Sequence, residues 1–156
     1  MVGAPVTSVR VVHDVELQAA GQMLHDFNRE FDEPAPAPGV LAERLRELVD
    51  GGDTVVLVGG EGPDGLAVIR LRPAIWSSGL EAYLAELYVD PALRRRGLGR
   101  ALMRAAIREA RARGAVTMDI GVDEPDTAAR RLYESLGFTN RTGEQGSLMY
   151  VYERDL

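Results

Sequence analysis

The stretch that decides the fold is LAELYVDPALRRRGLGRAL, residues 84–102. Its first six residues end an apolar run that begins at Leu80, and such a run is typical of a buried strand. Asp90-Pro91 ends the strand, and a basic segment with two glycines leads into a helix that we predict from Leu98 to Arg113. The stretch therefore predicts a strand, a basic glycine-containing loop and a helix in direct succession.

The loop between this strand and helix is suited to bind a pyrophosphate. The start of a helix leaves backbone N–H groups unpaired and carries a partial positive charge, and glycine lets the backbone approach an anion closely. Flanking arginines add donors for phosphate oxygens. A tight turn before a solvated basic helix is the alternative interpretation. We predict that the anion is held by Arg94, Arg95, Arg96, Gly97, Leu98, Gly99 and Arg100.

Hydrophobic periodicity places further elements on both sides of this centre. We predict strands at 9–12, 54–58, 66–72, 80–89 and 116–122, with closing strands at 138–140 and 148–153. We predict helices at 16–29, 40–49, 98–113 and 126–136, the second starting only after the prolines of residues 34–38. The order indicates an α/β fold: a mixed, mostly antiparallel central sheet with helices on both faces, in a single domain spanning residues 1–156.

Composition limits the chemistry that this chain can perform. The 156 residues contain no cysteine and no lysine, which excludes thiolate zinc sites, a cysteine nucleophile and a Schiff-base lysine. The net charge of −6 disfavours nucleic acid as a partner. No apolar run is long enough to span a membrane, so we expect a cytoplasmic protein, and the all-arginine usage suggests a bacterial source.

Two segments resemble the acetyl-CoA signature of the GNAT superfamily of N-acetyltransferases. The first is Leu87-Tyr88-Val89-Asp90-Pro91 followed by Arg94-Arg95-x-Gly97-x-Gly99-x-x-Leu102, and the second is residues 129–138, ARRLYESLGF. The resemblance covers residues 84–138 closely and the rest of the chain in element order. It implies a GNAT-like fold and direct transfer of an acetyl group from acetyl-CoA to a primary amine, without a metal.

The resemblance also assigns cofactor contacts. In the family, the strand before the loop splays from its neighbour, and its exposed backbone pairs with the pantetheine arm; this falls on Leu87, Tyr88 and Val89. The loop amides that bind pyrophosphate fall on residues 95–100. The family's CoA-contacting asparagine falls on Asp126, which is a departure, because an ionised aspartate caps a helix but cannot donate to the cofactor.

Two side chains are candidates for the proton transfers. In the family, the tyrosine matching Tyr133 often protonates the leaving thiolate; the alternative is an aromatic packed in the core. Glu86 lies in an apolar strand, which suits a general base for the amine, and family members often carry an acid there. A carboxylate paired with an arginine is the alternative for Glu86. His13 and His25 are isolated, and a lone histidine is usually structural or exposed.

The acceptor and the assembly are the least determined by the sequence. Candidate acceptor-pocket residues are Phe31, Asp32, Glu33, Trp76, Tyr83 and Tyr150. Small amines, aminoglycosides, amino acids and peptide or protein amines all stay open as acceptors, and so does a homodimer. Two rival functions remain. One is a non-catalytic acyl-CoA-binding sensor or partner module. The other is a dinucleotide-binding protein, in which Asp119 would bind the ribose.

Overall fold

The structure, a computed structural model, describes residues 8–156. It contains five strands: β1 (Val9–Val11), β2 (Thr54–Gly59), β3 (Gly65–Pro73), β4 (Leu80–Val89) and β5 (Ala115–Ile120). It contains four α-helices: α1 (Leu17–Glu30), α2 (Pro38–Asp50), α3 (Leu98–Ala112) and α4 (Thr127–Ser135). Short 3-10 turns at Asp14–Glu16 and Pro91–Leu93 precede α1 and α3.

The strands form one sheet in the order of the chain, β1-β2-β3-β4-β5. The first three pairs are antiparallel and only β4 and β5 run parallel. A parallel pair needs a crossover, and α3 provides it. The predicted mixed, mostly antiparallel sheet is confirmed. This topology excludes the dinucleotide fold, which requires a mostly parallel sheet.

Helices cover both faces of the sheet, and this explains why all six residues of β2 are buried. Val56 and Val58 lie in a core cluster with Leu17 of α1 and Leu45 of α2. Side chains alternate between faces along a strand, so the next position, Gly59, faces the other way. A Cβ there would lie 2.7 Å from Leu98 of α3.

The start of α3 is held close to the sheet by two glycines. A Cβ on Gly65 would meet the Tyr88 carbonyl at 2.8 Å and Leu102 at 3.0 Å, and Gly59 is equally crowded. Larger residues at these positions would push α3 outward. Its buried face is formed by Leu98, Leu102, Met103, Ala105, Ala106 and Ala110. The glycines therefore fix the N-terminus of α3 beside the end of β4.

The second helix begins earlier than predicted. It starts at Pro38, although the proline-rich segment was expected to exclude helix up to that point. Proline is well accepted at the first helical position because its missing N–H has no partner there and its φ is already helical. Only the first two prolines of the segment, at positions 34 and 36, lie outside the helix.

Contacts divide the chain into two compact units, one up to Ile120 and the other from Gly121 to Leu156. The second unit contains α4. The closing strands predicted at 138–140 and 148–153 are wrong: the region shows one isolated antiparallel bridge between Arg141 and Leu148. Residues 149–152 are all exposed, and a strand that buries neither face gains little from ladder formation. The single-domain prediction stays a prediction.

Candidate active site

Strand β4 is paired differently along its two halves. It pairs with β3 over its whole length, from Leu80 to Val89. Its pairing with β5 ends at Leu84, opposite Ile120. From Ala85 to Val89 the strand therefore has no β partner on its β5 side within residues 8–120. The pairing ends where β5 itself ends, at Ile120, and Leu87, Tyr88 and Val89 lie within the half without this partner. The splay that the resemblance implies stays a prediction.

Only alternate residues of this half offer backbone groups to the unpaired edge. Asp90 donates its N–H to the Asp64 carbonyl at 2.9 Å, so in an antiparallel ladder Tyr88 also points its groups toward β3. Leu87 and Val89 point theirs to the other side. Of the three residues predicted to contact the pantetheine arm, Leu87 and Val89 thus present main-chain groups, whereas Tyr88 contributes a buried ring.

A β-bulge brings Glu86 to the α1 face of the sheet. Val68 lies opposite Glu86, but the next residue, Ile69, lies opposite Leu84, so Ala85 is an extra residue in β4. The bulge lets Tyr83 and Glu86, three positions apart, share one face. In a regular strand they would face opposite ways.

The Glu86 carboxylate is partly buried and has no counterion. Burial raises the pKa of this carboxyl above its ordinary value of 4.5. No ion pair or hydrogen bond joins it to another side chain in residues 8–156, so the arginine-paired alternative does not hold for this part of the chain. A carboxyl with a raised pKa and no fixed partner has the properties of a general base.

The N-terminus of α3 is left open to an anion. Its N-cap is Gly97, with φ +89°, and no side chain caps it. Arg95 also has a positive φ, of 64°, which is uncommon outside glycine. These left-handed residues turn the loop sharply before the helix. The amides of Leu98, Gly99 and Arg100 therefore have no capping partner in the described chain, which is the arrangement an anion needs.

Arg94 differs from the other loop arginines because it is engaged by the protein. Its guanidinium forms a bidentate ion pair with Glu30 of α1, at 2.6 and 2.7 Å. Its Nε donates to the Val89 carbonyl at 2.9 Å, and it lies over the Tyr88 ring, 5.8 Å from the centroid. Sequence reasoning missed this pair, since 64 residues separate its members and no local pattern signals it. Arg95, Arg96 and Arg100 form no ion pair among the described residues.

The second unit carries Tyr133 and Asp126. Tyr133 is half-buried, and its ring packs edge-on against Phe138, with centroids 6.2 Å apart. Burial, with a smaller effect of Asp126, raises the pKa of the Tyr133 phenol to about 12. Asp126 caps α4, accepting from the Ala129 N–H at 3.0 Å. Its predicted capping role is confirmed.

The candidate acceptor residues lie on several different elements of the chain. Phe31 packs on Phe27, which in turn contacts Tyr88, each at 5.5 Å between ring centroids. Tyr83 lies opposite Arg70 on β3, whereas Trp76 is 94% exposed in the β3–β4 loop. His25 contacts the Pro36 carbonyl at 3.0 Å, which ties α1 to the α1–α2 linker.

Two searches of the described residues bear on the kind of site. Residues 8–156 contain no cluster of three or more metal-ligating side chains. In the same part of the chain, no helix has the length and apolar character needed to cross a membrane.

Comparison with known proteins agrees with the fold and the motifs. The profile of the acetyltransferase (GNAT) family matches residues 20–138. The chain belongs to this family. It is 41% identical over 124 residues to a mycothiol acetyltransferase of Thermobispora bispora, covering 76% of this chain and 36% of that protein. It is 48% identical over 62 residues to a ribosomal protein bS18 alanine N-acetyltransferase of Salmonella typhimurium, covering 40% of this chain and 42% of that protein. The matched part of the chain thus spans about two fifths of the length of these curated relatives.

Solved structures support the same fold. A protein from Arthrobacter sp. FB24, named "putative acetyltransferase", is 45% identical, with a TM-score of 0.89 and 99% of each chain covered. An aminoglycoside acetyltransferase from an uncultured soil sample has a TM-score of 0.74 over 96% of this chain and 97% of the other. Its 20% identity means that this likeness shows the fold alone.

Proposed function

We propose that this protein is an N-acetyltransferase that moves the acetyl group of acetyl-CoA directly to a primary amine. The observation that carries the proposal is the uncapped start of α3 at Gly97, which follows a strand whose second half holds a partly buried carboxylate with no counterion among the described residues. The loop suits a pyrophosphate, the strand edge suits an amide-bearing arm, and the carboxylate suits an amine. Family membership supports the same chemistry.

The residues that would hold the donor fit its chemistry. The amides of residues 95–100 can bind the pyrophosphate, assisted by the unpaired side chains of Arg95, Arg96 and Arg100. The N–H and C=O groups of Leu87 and the N–H of Val89 can pair with the two amides of the pantetheine arm. The guanidinium of Arg94 is already held by Glu30 and Val89, so we assign it the role of fixing the loop. When bound, acetyl-CoA supplies the activated acetyl group.

Two proton transfers would fall to the protein. Glu86 would accept the proton of the attacking amine, directly or through water, as the new N–C bond forms and the C–S bond breaks. Tyr133 would donate to the departing sulfur. A phenol with a pKa of about 12 keeps its proton at any ordinary pH, but it is a weaker acid than a thiol, whose pKa is about 8.5. Because transfer from this phenol to a thiolate is unfavourable, its contribution should lie at the low end for general acid catalysis, and solvent would return the proton to the phenol.

The acceptor is proposed only as a class. Asp32 and Glu33 in the α1–α2 linker are exposed and form no ion pair in the described chain, which favours an amine that is cationic before transfer. The two curated relatives are named for mycothiol and for an alanine of ribosomal protein bS18. These names support testing both small amines and peptide N-termini.

The test is a screen of primary amines with acetyl-CoA, in which released thiol is followed and the product is identified by mass spectrometry. We expect turnover with at least one amine, and calorimetric binding of CoA that a chelator does not change. Tight CoA binding without thiol release for any amine would favour the non-catalytic binding module. Loss of CoA binding on chelation would contradict the metal-free site.

A further inference from the structure

A cleft lies beside β1, the edge strand of the sheet, and not beside the half of β4 that lacks a β5 partner. It has a volume of about 460 Å³, and its walls include Ser8, Val9, Gly97, Arg100, Arg104 and Arg108. One wall is the outer side of β1 and the other is the polar side of α3. Strands β2 and β3 separate β1 from β4, so this cleft is distinct from the edge proposed for pantetheine.

The α3 wall of this cleft is a row of arginines without counterions. Arg100, Arg104 and Arg108 recur at every fourth position, and all three are exposed. None forms an ion pair or a hydrogen bond within residues 8–156. The one acid on α3, Glu109, is paired with Arg113 at 2.8 Å. On an acidic protein, such a row produces a local positive potential that attracts an anionic partner.

The β1 wall offers unpaired backbone groups. Ser8 accepts from the Gly60 N–H at 3.1 Å, and Val12 donates to the Val56 carbonyl at 2.8 Å. By alternation, the groups of Val9 and Val11 point away from β2. They have no backbone partner among the described residues, and β1 is the edge strand of the sheet. A free edge of this kind is a template for one more strand.

The spacing of the arginines along α3 is close to the spacing of alternate side chains along a strand. Successive arginines of the row are about 6 Å apart along the helix axis. Every second side chain of an extended strand is separated by about 6.6–6.8 Å. An added strand that runs along α3 would therefore present alternate side chains at nearly the interval of successive arginines. A peptide in which acidic residues alternate with others matches both walls at once.

We propose that this cleft is a docking site for an extended acidic peptide segment of a partner protein, which adds to β1 as a sixth strand. Hydrogen bonds to Val9 and Val11 would hold its backbone. Its alternate carboxylates would pair with Arg104 and Arg108. These two arginines are not among the residues proposed to bind acetyl-CoA, whereas Arg100 at the end of the row belongs to the loop proposed for the pyrophosphate.

The test uses a fluorescent peptide in which glutamate alternates with valine, and a control peptide of the same composition with the glutamates in one block. Arg104 and Arg108 are replaced together by glutamine, which preserves helix propensity. The matched control replaces Arg29 and Arg111, which are exposed, unpaired in the described chain and outside the cleft. Both pairs lower the net charge equally. Thermal melts establish that each variant is folded.

We expect the alternating peptide to bind more tightly than the block peptide and to slow amide exchange at Val9 and Val11. Arg104→Gln with Arg108→Gln should weaken binding about tenfold, and the control pair should change it little. Equal losses in both pairs would reduce the effect to net charge and overturn the proposal. So would equal binding of the block peptide or of a single-stranded oligonucleotide, displacement of the peptide by CoA, self-association of the protein at the cleft, or no binding at low salt.

Discussion

The two halves of β4 have nearly the same composition but differ in how they are paired with neighbouring strands. From Leu80 to Leu84 the strand is paired on both edges, and Ala82 and Leu84 are buried. From Ala85 to Val89 it has a β partner on one edge only within residues 8–156 and carries a partly buried carboxylate without a counterion there. The first half holds the sheet together. The second half leaves main-chain hydrogen-bonding groups that a ligand could take up.

The bulge at Ala85 marks the change between the halves. It lies one residue beyond the last pairing with β5 and rotates the rest of the strand. The comparison separates a segment that is paired on both edges from an adjacent segment that we propose to bind the donor. It also predicts that substitutions before the bulge affect stability and those after it affect binding and turnover.

The largest effect is expected at the loop that follows the second half. Gly99→Asp should abolish detectable CoA binding while the domain still folds, because the side chain blocks close approach of the backbone and its charge repels phosphate. Gly39→Asp is a matched control: Gly39 is also the second residue of a helix, and a Cβ there meets nothing within 4 Å. Calorimetry on both variants measures the difference. If Gly99→Asp binds CoA within a few-fold of the parent, the pyrophosphate lies elsewhere.

The second prediction concerns the carboxylate after the bulge. Glu86→Gln should lower kcat about 10²–10⁴-fold, the usual contribution of a general base. Glu81→Gln, on the same face but before the bulge and paired with Arg72 at 2.8 Å, should leave kcat near that of the parent. In the parent, kcat should fall as pH drops through the raised pKa of Glu86, and the variant should lack this step. Equal turnover in the two variants would remove Glu86 from the mechanism.

The carboxyl of Glu86 should also make stability depend on pH: stability should fall as pH rises, whereas kcat should fall as pH drops. Its folded pKa lies above the unfolded value of 4.5, so folding favours the protonated form. The contribution to stability is fully present below about 4.5 and is lost as pH rises through the folded pKa. Chemical unfolding across this window should show the decline in the parent and not in Glu86→Gln. A parallel decline in both would assign it to another group.

The third prediction compares side-chain packing in the two halves. Leu84→Ala should lower the free energy of unfolding by about 2–5 kcal/mol, because it leaves a cavity in the core. Leu87→Ala should cost less, since Leu87 is only partly buried. It should also leave the Kd for CoA nearly unchanged, because its proposed contacts are main-chain. Urea unfolding and calorimetry measure both quantities, and equal stability losses would break the comparison.

The smallest of these effects is expected outside the strand, at the proposed proton donor. Tyr133→Phe should lower kcat by about 10²-fold, the low end for acid catalysis, because the phenol is a weak acid and water can replace it. The KM for acetyl-CoA should change less. Tyr150→Phe is the control, a 70% exposed tyrosine of the same unit. Parental kcat in Tyr133→Phe, whatever its Tm, would assign Tyr133 to packing alone.

Much of the fold followed from local patterns. Each of three local patterns predicts one element. The apolar run ending at Val89 predicts a strand, and the glycines at positions 97 and 99 predict a loop. The separation of arginines and apolar residues onto two faces predicts the helix α3. Asp126 was predicted as a helix cap from its residue type alone. The family resemblance rested on the same residues. These features depend on residues within a few positions of one another, so they can be predicted from a single sequence.

Other predictions failed where the outcome depended on packing. Residues 148–153 have a strand-like composition, but this segment forms a single bridge and exposes its side chains. Pro38 was treated as a helix breaker, yet it occupies the first position of α2, where it is favourable. Composition could not distinguish these cases. Strand formation depends on whether another element covers a face of the strand, and the effect of proline on a helix depends on its position within that helix.

The sequence by itself determined the order of elements, the basic loop before α3 and the absence of cysteine and lysine chemistry. Only the tertiary structure decided which half of β4 loses its partner, that a bulge at Ala85 places Glu86 on the α1 face, and that Arg94 pairs with Glu30 rather than standing free. The physical reason is the separation along the chain of the residues that interact. Propensity, capping and charge density act between neighbours along the chain, whereas pairing register and long-range ion pairs depend on which distant segments the fold brings together.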